Sequence, residues 1–294
     1  MFRIGILGAE NSHATAFSRI FNDLDPKCET KYPDMKVVGC FSIYPDVCQK
    51  LVDECGVEFI ADKPEDMLGK VDAIMVTARD GKYHPEFARP YIEAGIPAFI
   101  DKPFANCSCA AVELAKLAKS KNVPLVGGSS TKLVYDVQQL AYARRTAFEE
   151  ICGGSVVAPL NMNNEYGGFY FYSSHLAEIS LTIFGYNPKS VRAFRAGDSV
   201  TAVVSYDGFN VTNQYIEGNY TYAGAIYGKG KTVARDIDIS MCYQHECKIF
   251  VDMLRTGVMS HSYEHLVAPV VLLNAVKKSY ENGGEEVELV FPEI

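Results

Sequence analysis

Short runs of apolar residues recur through the first 126 positions, and each is followed by a stretch with helical spacing. FRIGILGA reads as a buried strand, and HATAFSRIFNDL after it has apolar residues at a period of three to four. MKVVGCFS is a second strand, followed by a helix over PDVCQKLVDECG that Gly56 terminates. VEFIA is a short strand with the helical turn PEDMLG behind it. VDAIMVTA is almost wholly apolar, as a strand of a parallel sheet covered on both faces must be. HPEFARPYIEAG is a helix closed by a glycine, PAFID a strand, CAAVELAKLAKSKN a helix and VPLVGG a strand. This alternation predicts a doubly wound parallel sheet.

The pattern changes after about residue 150. GGSVVAPLNMN, SVRAFRAG, SVTAVVSYDG, FNVTNQYIEG and YTYAGAIYGKG are long β-like stretches, several separated by glycine-containing turns. Such hairpin-linked strands predict a mostly antiparallel open sheet. SSHLAEISLTIFG interrupts them as a helix, with Ser173 or Ser174 as its cap and His175 in its first turn. From CKIFVDMLRTG onward the chain is helical. The expectation is an α/β chain with a dinucleotide-binding-type domain over residues 1–126 and an α+β domain over 127–294.

Composition narrows the function classes. The 294 residues suffice for two ordinary domains. A formal charge of −8 argues against nucleic acid and anionic membrane as partners. No apolar run reaches the length of a membrane span. The apolar stretch after Arg3 ends at Glu10, too short for a signal peptide, so a cytoplasmic protein is expected. The nine cysteines include no C-x-x-C pair, and they read as free thiols in a reducing compartment with no metal site.

The order of elements resembles the Gfo/Idh/MocA oxidoreductases. The resemblance is carried by FIDKPFA at 99–105, the SSHLAE helix, and the closing RTG…LLNAVKKSYENGG, and it covers nearly the whole chain. It implies an N-terminal Rossmann domain binding NAD or NADP. It also implies a C-terminal domain with an open sheet used for oligomer contacts, hence a homo-oligomer. The implied substrate is a small molecule, a sugar, cyclitol or relative, oxidised or reduced at a hydroxyl.

Aligned on that family's glycine-rich turn, GILGAENSHA at 5–14 places Gly8 first, followed by Ala9, with Glu10 and His13 in the second and third glycine positions. The second glycine lets backbone approach pyrophosphate. A carboxylate there faces a like charge, a repulsion of roughly 4 kcal/mol at about 4 Å and an effective dielectric of about 20. The helix N-terminus still offers free N–H groups, with Asn11 and Ser12 as caps or Ser12 as a phosphate donor. Alternatively ENS is a plain helix cap with Glu10 turned to solvent. Ser42 occupies the end of the second strand, where dinucleotide sites place an acid for the ribose, so the sequence does not choose between NAD and NADP.

Asp101-Lys102-Pro103 matches the family's E-K-P, whose lysine reaches nicotinamide and substrate. A lysine there polarises oxygen or relays a proton, and Pro103 is a candidate for a cis peptide. His175 matches the catalytic histidine of D-x-G-x-H-x-x-D, with Phe171, Ser173 and Glu178 at the other three positions. The first carboxylate is therefore missing, and Tyr170 or Tyr172 could fill the gap or simply pack. VTARDGKYHPE at 76–86 resembles the family's A-T-P-N-x-x-H loop, lengthened by two residues, and the resemblance implies that Thr77 and Arg79 lie near the cofactor. Arg79 pairs with a phosphate, a substrate carboxylate or Asp80, and His84 opens the next helix. Asn163, Asn164 and Glu165 are weaker candidates for sugar contacts. Lys102 and His175 favour an NAD(P)-dependent dehydrogenase. A redox-neutral elimination or glycoside cleavage assisted by the cofactor is a second reading. A cofactor-less binding protein, favoured by Glu10, His13, Ser42 and Phe171, is a third.

Overall fold

The computed structural model describes residues 1–294, the Pro45 side chain excepted. The first half runs β1 (Phe2–Leu7), α1 (Ser12–Phe21), β2 (Met35–Phe41), α2 (Pro45–Cys55), β3 (Phe59–Ile60) and β4 (Ala73–Val76). It continues through α3 (His84–Glu93), β5 (Ala98–Asp101), α4 (Ser108–Ser120) and β6 (Leu125–Gly128). The six strands are parallel in the order β3-β2-β1-β4-β5-β6. Chain order reverses between β1 and β4, and the crevice beyond their carboxyl ends is where such sheets take ligands. Every residue of β4 and β5 is buried, which is why VDAIMVTA lacks the alternation of a half-exposed strand.

Helix ends follow local chemistry. Asn11 caps α1, its side chain accepting from the His13 N–H. Gly56 closes α2 in the left-handed region.

The second half begins with α5 (Tyr135–Thr146), a helix the hydrophobic pattern did not announce. It is mostly polar, with only Val137, Leu140 and Ala141 buried. There follow β7 (Ile151–Leu160), α6 (Phe169–Phe184), β8 (Ser190–Ala196), β9 (Ser199–Ser205), β10 (Asn210–Glu217), β11 (Ala223–Gly228) and β12 (Lys231–Asp236). The chain ends with α7 (Cys242–Thr256), α8 (Tyr263–Glu281) and β13 (Val287–Glu288). The sheet order is β12-β11-β7-β10-β9-β8-β13. All pairs are antiparallel except β7 with β10. That parallel pair arises because the chain leaves β7 through α6 before the β8–β9–β10 meander returns beside it.

One expectation is corrected. The helix containing His175 begins at Phe169, not at Ser173 or Ser174. Gly167 and Gly168 both have positive φ and break the backbone there, so the helix starts a turn earlier. His175 therefore lies beyond the first turn, and both serines are buried inside the helix rather than capping it.

The last helices pack back onto the first sheet. Cys247, Phe250 and Val251 of α7 join the core of Ile4, Phe17 and Phe99. On α8, Leu266, Val267 and Val270 pack with Leu114 and Ala118 of α4, while Leu272, Leu273 and Val276 enter the core of the second sheet. α8 thus ties both layers and fixes the cleft between them. Among the described residues, no helix is long and apolar enough to cross a membrane.

Gly8 has a packing reason of its own. Its φ is +102°, and a Cβ there would lie 2.1 Å from the Ala78 backbone nitrogen. Gly8→Ala is expected to cost at least about 2 kcal/mol and to lower the thermal midpoint by several degrees. An unchanged midpoint in calorimetry would show that β1 and the loop after β4 have room to separate.

Candidate active site

A cavity of about 410 Å³ opens between the two layers, beyond the carboxyl ends of β1, β4 and β5. The first layer lines it with Asn11, Ser12, His13, Arg79 and Lys102. The second contributes His175 and the rings of Tyr166, Phe171, Tyr172 and Tyr222, and α7 adds Cys242 and Tyr243.

Asp101 ends β5 directly beneath this cavity and is fully buried. Its carboxylate accepts from the Lys102 backbone N–H at 2.6 Å and from Asn11 Nδ2 at 3.4 Å. His13 Nδ1 lies 2.6 Å from the same carboxylate. Burial opposes its ionisation, but His13 and Lys102 outweigh burial, and the pKa ends below the usual carboxylate value.

The next peptide bond, Lys102–Pro103, is cis. Lys102 Nζ donates to the Phe171 carbonyl at 3.3 Å and stands 4.3 Å from the centre of the Phe171 ring. A ring rather than a carboxylate therefore faces this ammonium. Burial lowers the Lys102 pKa, and Asp101 and Glu246 oppose that shift in part.

His175 has no carboxylate neighbour among the described residues. Its Nδ1 is 2.7 Å from Ser129 Oγ, which is 2.7 Å from Thr131 Oγ1, and Thr131 Oγ1 donates back to the His175 carbonyl at 3.4 Å. Ser129 Oγ also accepts from the Thr131 N–H. One arrangement satisfies every group: Nδ1–H donates to Ser129, Ser129 to Thr131, and Thr131 to the carbonyl. It leaves the Nε2 lone pair free. Burial first, then the Lys102 and His13 charges, holds the His175 pKa well below its ordinary value, so the ring is neutral.

Several candidates brace the site from outside the cavity. Thr77 Oγ1 donates to the Gly8 carbonyl, and the Ala9 N–H donates to the Phe41 carbonyl. Both ring nitrogens of His84 face carbonyl oxygens, Ala78 at 2.7 Å and Pro103 at 2.8 Å, so it clamps two loops together. Glu178 pairs with Lys132 at 3.1 Å, both buried, and accepts from the Ser129 N–H, which fixes the base of the hydroxyl chain behind His175. Asn164 folds the 161–168 turn, donating to the Asn161 and Gly168 carbonyls. Asn163 bonds Asp198, and Glu165 is exposed; neither lines the cavity. Of the two tyrosines, Tyr172 lines the cavity and Tyr170 packs on Phe169 with its hydroxyl accepting from Asn274. Arg79 does not pair with Asp80, which takes Lys82 instead. Its guanidinium donates to Tyr166 Oη at 2.7 Å and stacks on that ring at 4.7 Å.

Residues 2–128 match the model of the Gfo/Idh/MocA family, described as an oxidoreductase family with an NAD-binding Rossmann fold. Over these residues the chain carries that family's NAD-binding Rossmann domain. Among curated proteins, none matches the sequence. Solved structures match the fold over its whole length. One is scyllo-inositol dehydrogenase from Lactobacillus casei with bound NAD(H) and scyllo-inositol, at TM-score 0.84, 14% identity, and coverage of 98% of this chain and 99% of that one. Myo-inositol 2-dehydrogenase from Lactobacillus plantarum matches at 0.83 and 15%, covering 98% and 99%. GenD2 from gentamicin A biosynthesis, in complex with NAD, matches at 0.83 and 15%, covering 98% and 96%.

The turn after β1 fits a dinucleotide at its phosphate end. The backbone N–H groups of Glu10, Asn11 and Ser12 have no protein acceptor among the described residues, and they cluster at the start of α1. Gly8 keeps the turn tight against the loop after β4. Glu10 is half-buried rather than solvent-directed: it accepts from Ser42 Oγ at 2.6 Å and from the Arg79 N–H at 3.1 Å.

Sequence reasoning did not single out Glu246. It lies on α7, buried, in the stripe formed by Tyr243, Cys247 and Phe250, and neither carboxyl oxygen has a hydrogen-bond partner among the described residues. The available signal was an acid at helical spacing within that apolar stripe. Burial, then the Asp101 charge, holds its pKa well above the ordinary 4.5. Folded Glu246 therefore keeps a proton that the unfolded chain releases. Its contribution to stability is full below that ordinary value and is lost as pH rises toward the folded pKa. Glu246→Met is expected to stabilise the protein by about 1–3 kcal/mol, more at pH 8 than at pH 5. A gain in thermal midpoint that is equal at both pH values would show that Glu246 is not a buried acid.

Proposed function

We propose that this chain is an NAD-linked dehydrogenase acting on a CH–OH group of a small polyhydroxylated substrate, a cyclitol or sugar. The observation carrying this reading is that an ammonium, Lys102, and a neutral imidazole, His175, face one cavity at the carboxyl ends of a Rossmann sheet. A volume of about 410 Å³ lies within the roughly 300–1,000 Å³ of small-molecule sites. The fold shared with inositol dehydrogenases supports the substrate class.

When bound, NAD supplies the hydride acceptor. The N–H groups at the start of α1 would hold its phosphates, with Asn11, Ser12 and Arg79 lining the cavity beside them. With one N–H donor of Lys102 held by the Phe171 carbonyl, two remain from which the reacting oxygen takes a hydrogen bond. That contact favours the alkoxide character that develops as hydride leaves. His175 Nε2 accepts the hydroxyl proton, and the Ser129–Thr131 hydroxyls hold the ring in the accepting tautomer.

Assembly belongs to the same reading. Val157, Val203, Thr212 and Gln214 form a half-buried row on the outward face of the second sheet, and two copies pair through it. A monomer in size-exclusion chromatography with light scattering would remove that part.

With a panel of cyclitols and sugars, turnover is followed by nicotinamide absorbance. Lys102→Met and His175→Asn are each expected to lower kcat by about 10²–10⁴-fold and to leave NADH binding within a few-fold of wild type. The acid limb of the kcat profile is expected below the ordinary histidine value of about 6.5, because His175 resists protonation. A variant retaining wild-type kcat would end the acid–base assignment.

A further inference from the structure

We propose that Glu10 supplies the ribose acceptor that the end of β2 lacks, and that it makes this crevice select NAD over NADP. The proposal rests on the dinucleotide reading above. Ser42 stands where an acid would hold the ribose hydroxyls. Glu10 reaches that place from the turn after β1. Its Oε2 accepts from Ser42 Oγ at 2.6 Å, and its Oε1 accepts from the Arg79 N–H at 3.1 Å. β2 and β4 flank β1 in the sheet, so the two donors hold the carboxylate across the carboxyl ends of three adjacent strands.

A carboxylate has about four lone-pair sites, and these two bonds leave half of them open. A neutral ribose 2′-hydroxyl can donate to one. A 2′-phosphate brings a like charge to the same place. The cation that could offset it is engaged elsewhere: the Arg79 guanidinium bonds Tyr166 Oη and stacks on its ring. The residues after Ser42, Ile43 and Tyr44, offer no positive charge.

Titration of NADH and NADPH by nicotinamide fluorescence tests this without any substrate. Wild type is expected to bind NADH at least about tenfold more tightly than NADPH, the scale of one charge-assisted hydrogen bond. Glu10→Gln and Glu10→Gly are expected to weaken NADH binding about fivefold or more and to bring the two affinities within about threefold. Thermal midpoints without ligand confirm that each variant is folded. Tighter NADH binding by either variant would show that Glu10 repels the cofactor, and would overturn the proposal. So would an unchanged NADH-to-NADPH ratio, or a wild-type preference for NADPH. If wild type binds neither dinucleotide, the functional reading falls with it; if NADH binds and only the ratio fails, Glu10 alone is misassigned.

Discussion

A fully buried carboxylate at the end of β5 is the constraint on which the cleft depends. Leaving an ion of that kind unpaired costs several kcal/mol, so Asp101 must be surrounded by donors. The chain meets that need from three directions: the His13 ring, the Asn11 amide and the Lys102 backbone N–H. Satisfying Asp101 therefore fixes the start of α1 and the segment carrying Lys102 in the same act. His13 reaches this carboxylate from the start of α1, and its ring is further held by the edge-on ring of Tyr243 from α7.

Desolvation then sets the protonation states above that base. Lys102, His175 and Glu246 are all buried, and in each the uncharged form is favoured relative to water. The outcomes differ because the neighbours differ. Asp101 supports the Lys102 charge, whereas Lys102 itself opposes a charge on His175. An ammonium and a neutral imidazole facing one cavity follow from that asymmetry. Behind His175, two hydroxyls do the orienting that a carboxylate would otherwise do, and the buried Lys132–Glu178 pair anchors them.

The residues that depart from the expected motifs are coupled to distant partners rather than isolated losses. Glu10 goes with Ser42 at the end of β2, joined by a hydrogen bond. His13 goes with Asp101. Phe171 in place of an acid goes with a lysine that uses its carbonyl and its ring. Each pair spans elements far apart in the chain, so each substitution looks like damage alone and like a matched set in the fold.

The sequence by itself determined the local and periodic features. The apolar runs of β1, β4 and β5, the helical spacing between them and the glycine that closes α2 were all legible, because strand and helix periods are properties of neighbouring residues. The D-K-P segment and the histidine of SSHLAE were legible too, as short motifs in a familiar order. Tertiary structure decided the rest. The start of α6 was set by the backbone freedom of Gly167 and Gly168, not by the serines that looked like caps. The polar helix α5 carries only a few buried positions and so gave little periodic signal. The direction of Glu10, the partner of Arg79 and the burial of Glu246 depend on residues 32 to more than 80 positions away or on packing against another layer. Charge and hydrogen bonding act through space, and only the folded chain specifies which distant groups share it.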